Sequence, residues 1–181
     1  MQVVQSQRGF TLIELMVSVA IIGILSATAI SLFKDQQLRT KRAEAMTQVE
    51  SLVTMQRTFY GEFGRYTTHL AMPGPALGPS ARPWTAAAKA VYGNLGFEPQ
   101  GVVFFDYGVD SGCCVSGDCF TVTAYGDLDG DNLLSAVTYF HPDAFNVVCS
   151  PQFAPLLTAF DPAKGVNRYD EVFRHSGAAL Y

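Results

Sequence analysis

The chain has 181 residues, 49% of them hydrophobic and only 15% charged, where soluble domains average about 25% charged. That composition excludes a disordered chain, and one domain of ordinary size is the expectation for this length. The net charge of −4 averages unlike regions: residues 34–89 carry eight cations and four carboxylates, whereas residues 90–163 carry nine carboxylates and no Lys or Arg. A folded body of that kind excludes a general nucleic-acid binder, and no specific nucleic-acid partner is expected.

The first nine residues are polar, with one cation, Arg8. Phe10–Phe33 then runs for 24 residues with a single charge, Glu14. About 20 apolar residues cross a bilayer as a helix. The run is long for a secretory signal, and no small-residue cleavage pattern follows it, so a membrane-spanning helix is predicted. A carboxylate inside such a helix costs about 2–3 kcal/mol at the centre and less near the interface. Glu14 therefore reads either as a residue at headgroup depth or as half of a pair.

The order Arg8-Gly9-Phe10-Thr11-Leu12-Ile13-Glu14-Leu15, continued by Ala20-Ile21-Ile22-Gly23-Ile24-Leu25, resembles the start of type IV prepilins and type II secretion pseudopilins. The resemblance implies cleavage between Gly9 and Phe10 by the prepilin peptidase on the cytoplasmic face, with Phe10 becoming an N-methylated N-terminus. It also implies that Glu14 neutralises the terminal ammonium of a neighbouring subunit. The partners it implies are other pilin subunits, the inner membrane before assembly, and the pilus assembly platform. Charge physics agrees: neither the amine nor Glu14 tolerates isolation in an apolar core. A pair that closes at one axial offset also fixes register.

Two features depart from the family pattern. Ser31 stands where many major pilins carry proline, so no sharp helix kink is dictated. The basic flank Lys34, Arg39, Lys41 and Arg42 points to the cytoplasm by the positive-inside rule, whereas the resemblance places it outside. An even number of cysteines also favours the oxidising side.

From Lys34 to about Gly61 there is no glycine or proline before the end. Ala43, Met46, Val49, Leu52, Val53, Phe59 and Tyr60 fall at helical spacing. The predicted helix thus runs from Phe10 to about Gly61, roughly 80 Å at 1.5 Å per residue, and ends in the glycines of Gly61-Glu62-Phe63-Gly64-Arg65-Tyr66. Residues 67–99 are proline-rich and read as loop, with a short helix within Trp84–Tyr92. Val102–Tyr107, Phe120–Tyr125, Leu133–Phe140 and Phe145–Cys149 read as strands. The predicted class is α+β and pilin-like, a long N-terminal helix packed on an antiparallel sheet of about four strands. The predicted divisions are a leader (1–9), a membrane and assembly half-helix (10–33), an amphipathic half-helix (34–61) and a globular region (62–181).

Cys113, Cys114, Cys119 and Cys149 form no CxxC pair and no zinc spacing, so two disulfides are expected. Adjacent Cys113 and Cys114 do not join without strain; one can close a short loop to Cys119 and the other reach Cys149. Four cysteines allow three connectivities, and the sequence does not choose. Asp127, Asp129 and Asp131 match the first three oxygen ligands of a calcium loop. Asn132 replaces the expected glycine and Thr138 the closing glutamate, which excludes an EF-hand. Two readings stand: a smaller turn assisted by Ca2+ through Asp127, Asp129, Asp131 and Asn132, or a polar turn whose side chains cap their own backbone.

His69, His141 and His175 share no spacing, and no nucleophile-elbow, Walker, HExxH or dinucleotide motif occurs. An enzyme is not expected, nor is a required cofactor. The expected function is a structural pilin or minor pilin of a type IV pilus, an inner-membrane precursor that becomes part of a periplasmic or extracellular filament. The alternatives are a type II secretion pseudopilin and a membrane-tethered, calcium-dependent extracytoplasmic binding module.

Overall fold

The computed structural model describes residues 9–74, 78–151, 158–161 and 164–175. The leader before Gly9 and the Ser31 side chain lie outside that set. The elements in order are α1 (Leu12–Phe63), β1 (His69–Met72), β2 (Arg82–Pro83), α2 (Ala86–Tyr92), β3 (Val102–Val103), β4 (Asp106–Ser111), β5 (Phe120–Gly126), β6 (Ser135–His141), β7 (Phe160–Asp161), β8 (Val166–Asn167) and β9 (Val172–Arg174). The chain divides into two compact units, Met1–Arg39 and Thr40–Tyr181.

In the first unit, α1 begins at a reciprocal cap. Thr11 Oγ1 accepts from Glu14 N (3.3 Å), and Glu14 Oε2 accepts from Thr11 N (3.0 Å) and from the Thr11 hydroxyl (2.7 Å). This is the capping box that Thr-x-x-Glu encodes. The apolar side chains beyond it are open: Ile13 is 69% exposed and Ile24 71%. This helix is long and apolar enough to cross a membrane, and none of its most apolar 18-residue window is buried among the described residues.

In the second unit the helix packs. Ala45, Val49, Leu52 and Gln56 are fully buried. Gln56 copies a strand partner, donating to Thr67 O (2.8 Å) and accepting from Thr67 N (3.1 Å). The helix ends at Gly64, whose φ of +66° suits glycine and whose N–H reaches Tyr60 O at 2.8 Å.

The sheet has five strands in the order β1-β4-β5-β6-β9, each neighbouring pair antiparallel. Register aligns Val109, Val122 and Tyr139 in one rank and Tyr107, Ala124 and Val137 in the next. These residues are buried, and Tyr107 and Tyr139 both reach side chains of α1. The opposite face is buried too: the Thr121 hydroxyl donates to Cys149 O at 2.7 Å, and Phe140 packs with Ala159 and Phe173. Every residue of β5 is therefore buried, although its alternating threonines read like a half-solvated strand.

The strand expectations need four corrections. Val102–Tyr107 is not one strand: β3 pairs with β2, and β4 starts at Asp106. The break lies at Phe104, whose carbonyl passes so close to Gly126 that a Cβ there would sit 2.7 Å from it. The third strand starts at Ser135 rather than Leu133, because Asp131 takes the Leu133 N–H into a turn (2.8 Å). Phe145–Cys149 is a loop, since Asp143 Oδ1 accepts from Phe145 N (2.8 Å) and Val147 N (2.9 Å) and Asn146 adopts φ +61°. Strands β1 and β9 complete the sheet and were not predicted; the inward positions of β1 are His69 and Ala71, a weak apolar signal. The short helix expected within Trp84–Tyr92 is α2, capped by Thr85, whose hydroxyl accepts from Ala88 N at 3.2 Å.

Candidate functional site

Gly9, Phe10 and Glu14 stand together at the start of α1. Gly9 precedes the helix, with nothing within 4 Å of where a Cβ would lie. Phe10 is 82% exposed. Among the described residues the Glu14 carboxylate is held by Thr11, so within the single chain it serves as a helix cap. Thr11 was not singled out from the sequence; the capping-box spacing was the signal for it. The arrangement places a carboxylate four residues after Phe10, flanked by side chains that are exposed among the described residues.

The acidic turn joins β5 to β6. Asp127 is buried and accepts Gly130 N (2.8 Å) and Asn132 N (3.2 Å), one on each carboxylate oxygen. Gly130 (φ +81°) and Asn132 (φ +65°) supply the two left-handed positions that close the loop. Asp129 and Asp131 are exposed. One oxygen from each of Asp127, Asp129 and Asp131 lies within 4.8 Å of the others, a spacing a hard cation can bridge. Asn132 enters through its backbone N–H, as a donor. Lys41 approaches from α1, its Nζ donating to Pro79 O (2.9 Å) and Leu128 O (3.4 Å) and lying 4.6 Å from the Phe104 ring. A cation remote in sequence thus sits beside the turn, and backbone capping accounts for its shape.

The four cysteines form one cluster. Cys113 is joined to Cys149 and Cys114 to Cys119, across 36 and 5 residues. Cys114, Cys119 and Cys149 are buried together and Cys113 is exposed.

One polar cluster escaped the sequence reading. Asp170, at φ +56°, accepts on Oδ1 from Tyr139 OH (2.7 Å) and Arg57 (3.3 Å) and meets His141 Nδ1 (2.6 Å). Arg57 also donates to Tyr139 OH at 2.6 Å. These groups tie the chain before β9 to α1 and β6. Burial works against the Asp170 anion, yet the bonds from Tyr139 and His141 and the Arg57 charge hold its carboxyl below the usual range. Glu44 behaves oppositely. Burial raises its pKa, against the bonds from Tyr107 OH (2.8 Å) and Phe104 N (3.2 Å). The three histidines do not meet as a catalytic group: His69 faces Val91 O at 2.9 Å, and burial pushes His175 down to about 4.

Comparison with known proteins joins these observations. Residues 4–30 match the model of the prokaryotic N-terminal methylation motif. The chain is 55% identical over 60 residues to the type IV major pilin protein PilA of Myxococcus xanthus, covering 33% of this chain and 27% of that one. It is 52% identical over 50 residues to a fimbrial protein of Pseudomonas aeruginosa, covering 28% and 32%. In these two the matched stretch spans only about a third of the relative's length or less. The type IV major fimbrial protein FimA of Dichelobacter nodosus is 33% identical over 136 residues, covering 73% of this chain and 76% of the relative. No solved structure matches the chain. A long apolar helix headed by Gly9-Phe10 and Glu14, a helix-backed antiparallel sheet, and a relative shared over three quarters of its length lead to one assignment: the chain belongs to the type IV pilin family.

Proposed function

We propose that the chain is a filament-building subunit of a type IV pilus, held in the inner membrane as a precursor and polymerised through α1. The observation that carries this reading is the stretch Phe10–Phe33, whose apolar side chains are exposed among the described residues. Each fully buried Leu or Ile gains about 1.5–3 kcal/mol over an exposed one, so such a helix requires lipid or other subunits. Prepilin peptidase cuts between Gly9 and Phe10, and Phe10 becomes the methylated N-terminus. In the precursor Glu14 caps its own helix through Thr11. In the filament it pairs with the new terminal ammonium of a neighbour, and the apolar surroundings make an unpaired charge costly. The names of the relatives, major pilin and major fimbrial protein, support a subunit of the filament body; its copy number in sheared filaments tests that rank.

Gly9→Val tests the processing step. A Cβ at Gly9 meets nothing within 4 Å among the described residues, so folding is expected to be unchanged while the full-length precursor mass persists in the membrane fraction. Normal removal of the first nine residues from this variant contradicts the assigned cleavage site.

A further inference from the structure

The cysteine cluster poses a pairing problem that local chain geometry does not solve. Cys114–Cys119 closes a loop of 5 residues. Cys113–Cys119, the competing closure, spans 6, and in the folded chain Cys113 Sγ lies 3.3 Å from Cys119 Sγ. Loop-closure probability falls as about the 3/2 power of length, so the two closures differ by only about 1.3-fold. Cys119 Sγ is also 3.5 Å from Cys149 Sγ and Cys113 Sγ 4.0 Å from Cys114 Sγ, and all four sulfurs lie within 4.8 Å of one another. The fold therefore gathers every sulfur in one place and does not separate right from wrong partners by distance. In order of synthesis, Cys113, Cys114 and Cys119 precede Cys149 by 30 residues or more. Whichever of the first two takes Cys119 leaves the other for Cys149.

We propose that oxidation of this chain yields two pairings, Cys113–Cys149 with Cys114–Cys119 and Cys113–Cys119 with Cys114–Cys149, and that an external thiol interconverts them. Forming either set gives four electrons and four protons to the oxidant. Interconversion is redox-neutral. An external thiolate attacks Sγ of Cys113, the exposed residue of the cluster, forming a mixed disulfide and releasing the Cys119 thiolate. Cys119 attacks Cys114 Sγ, forming Cys114–Cys119 and releasing the Cys149 thiolate. Cys149 attacks the mixed disulfide at Cys113, forming Cys113–Cys149 and returning the external thiolate. What selects the final set is packing of Cys114, Cys119 and Cys149 in their buried cluster, with Cys113 left outside. This inference depends on an oxidising compartment and not on filament assembly.

The test uses the reduced, denatured full chain in detergent. It is oxidised on dilution with diamide alone, or in a glutathione buffer containing the reduced thiol, then acid-quenched, digested and mapped by mass spectrometry. Diamide alone is expected to give the two pairings in amounts within about threefold of each other, close to the closure ratio. The glutathione buffer is expected to shift them at least tenfold toward Cys113–Cys149 with Cys114–Cys119. The pairing in Cys114→Ser is read the same way, since it needs no correct folding: Cys113–Cys119 is expected beside Cys113–Cys149. A single pairing with diamide alone, a mixture that thiol does not move, or absence of Cys113–Cys119 from Cys114→Ser would each overturn the proposal.

Discussion

Two stretches of one helix contrast sharply. Between Leu12 and Phe33 the apolar side chains are open, whereas between Ala45 and Gln56 the inward positions are closed by the sheet. Sequence makes the difference visible in advance. The first stretch is apolar on nearly all sides, while the second interleaves its inward apolar residues with Thr47, Gln48, Glu50, Ser51 and Thr54. The lesson is that one secondary structure serves two solvents. The second stretch stabilises the folded chain, and the first holds its burial in reserve for lipid or for other copies.

The sharpest way to break that contrast is Glu14→Ala. Removing one member of a buried charge pair costs about 3–5 kcal/mol, so entry into sheared filaments is expected to fall more than about 100-fold. Thermal unfolding of the sheet-bearing unit is expected not to move. Leu52→Ala should do the reverse. Its side chain is fully buried, and the loss is about 2–5 kcal/mol, read as a lower melting temperature, while Ile24→Ala leaves that melt unchanged. Opening the 36-residue loop with Cys113→Ser and Cys149→Ser together is expected to cost about 3–4 kcal/mol in the same melt.

Smaller effects divide the packed unit by the sign of their pH dependence. Asp170 has a folded pKa below its unfolded value. Its contribution is therefore full above about pH 3.9 and disappears as pH falls through the lowered folded value. Its side chain is 45% exposed, which limits the gain to under about 1 kcal/mol. Asp170→Asn should lower stability at pH 5, with the difference shrinking in stronger acid. Glu44 has the opposite sign. Its pKa is raised by burial, so its contribution is full below about pH 4.3 and is lost as pH rises through the folded value. Glu44→Gln, which keeps an acceptor for Tyr107 and Phe104, should gain relative stability between pH 4 and pH 7. Calcium should matter least. For a site with Kd of about 1 mM, typical of extracellular modules, about 1 mM ion adds about 0.4 kcal/mol. The shift between calcium and excess chelator is then about 1–2 °C; a much larger shift would mark the acidic turn as a built metal site.

What could be read beforehand follows from where information sits in a chain. The helix and the family motif at its head were legible because their signals are local: an unbroken apolar run and fixed offsets. The central strands β5 and β6 were legible as apolar runs, the start of β6 misplaced where Asp131 redirects the backbone, whereas β4 was not, because the apolar run Val102–Tyr107 falls mostly on β3 and the break at Phe104 beside Gly126. The loop at Phe145–Cys149 looked like a strand because Asp143 overrides its apolar composition by capping two amides. The pairing of Cys113 with Cys149, the approach of Lys41 to the acidic turn and the cluster around Asp170 were not legible. Each joins residues at least 29 positions apart, the shortest separation being Asp170 to His141, and no local pattern encodes such a meeting.

The central claim is that Phe10–Phe33 is an assembly surface exposed for use by other subunits once the leader has gone. The most direct measurement is the intact mass and N-terminal sequence of this chain recovered from sheared surface filaments of its parent cell. A chain that begins at methylated Phe10 is the result expected. A chain in filaments that still carries Met1–Gly9, or one cleaved at Gly9 that stays wholly in the membrane and never enters a filament, would contradict the account.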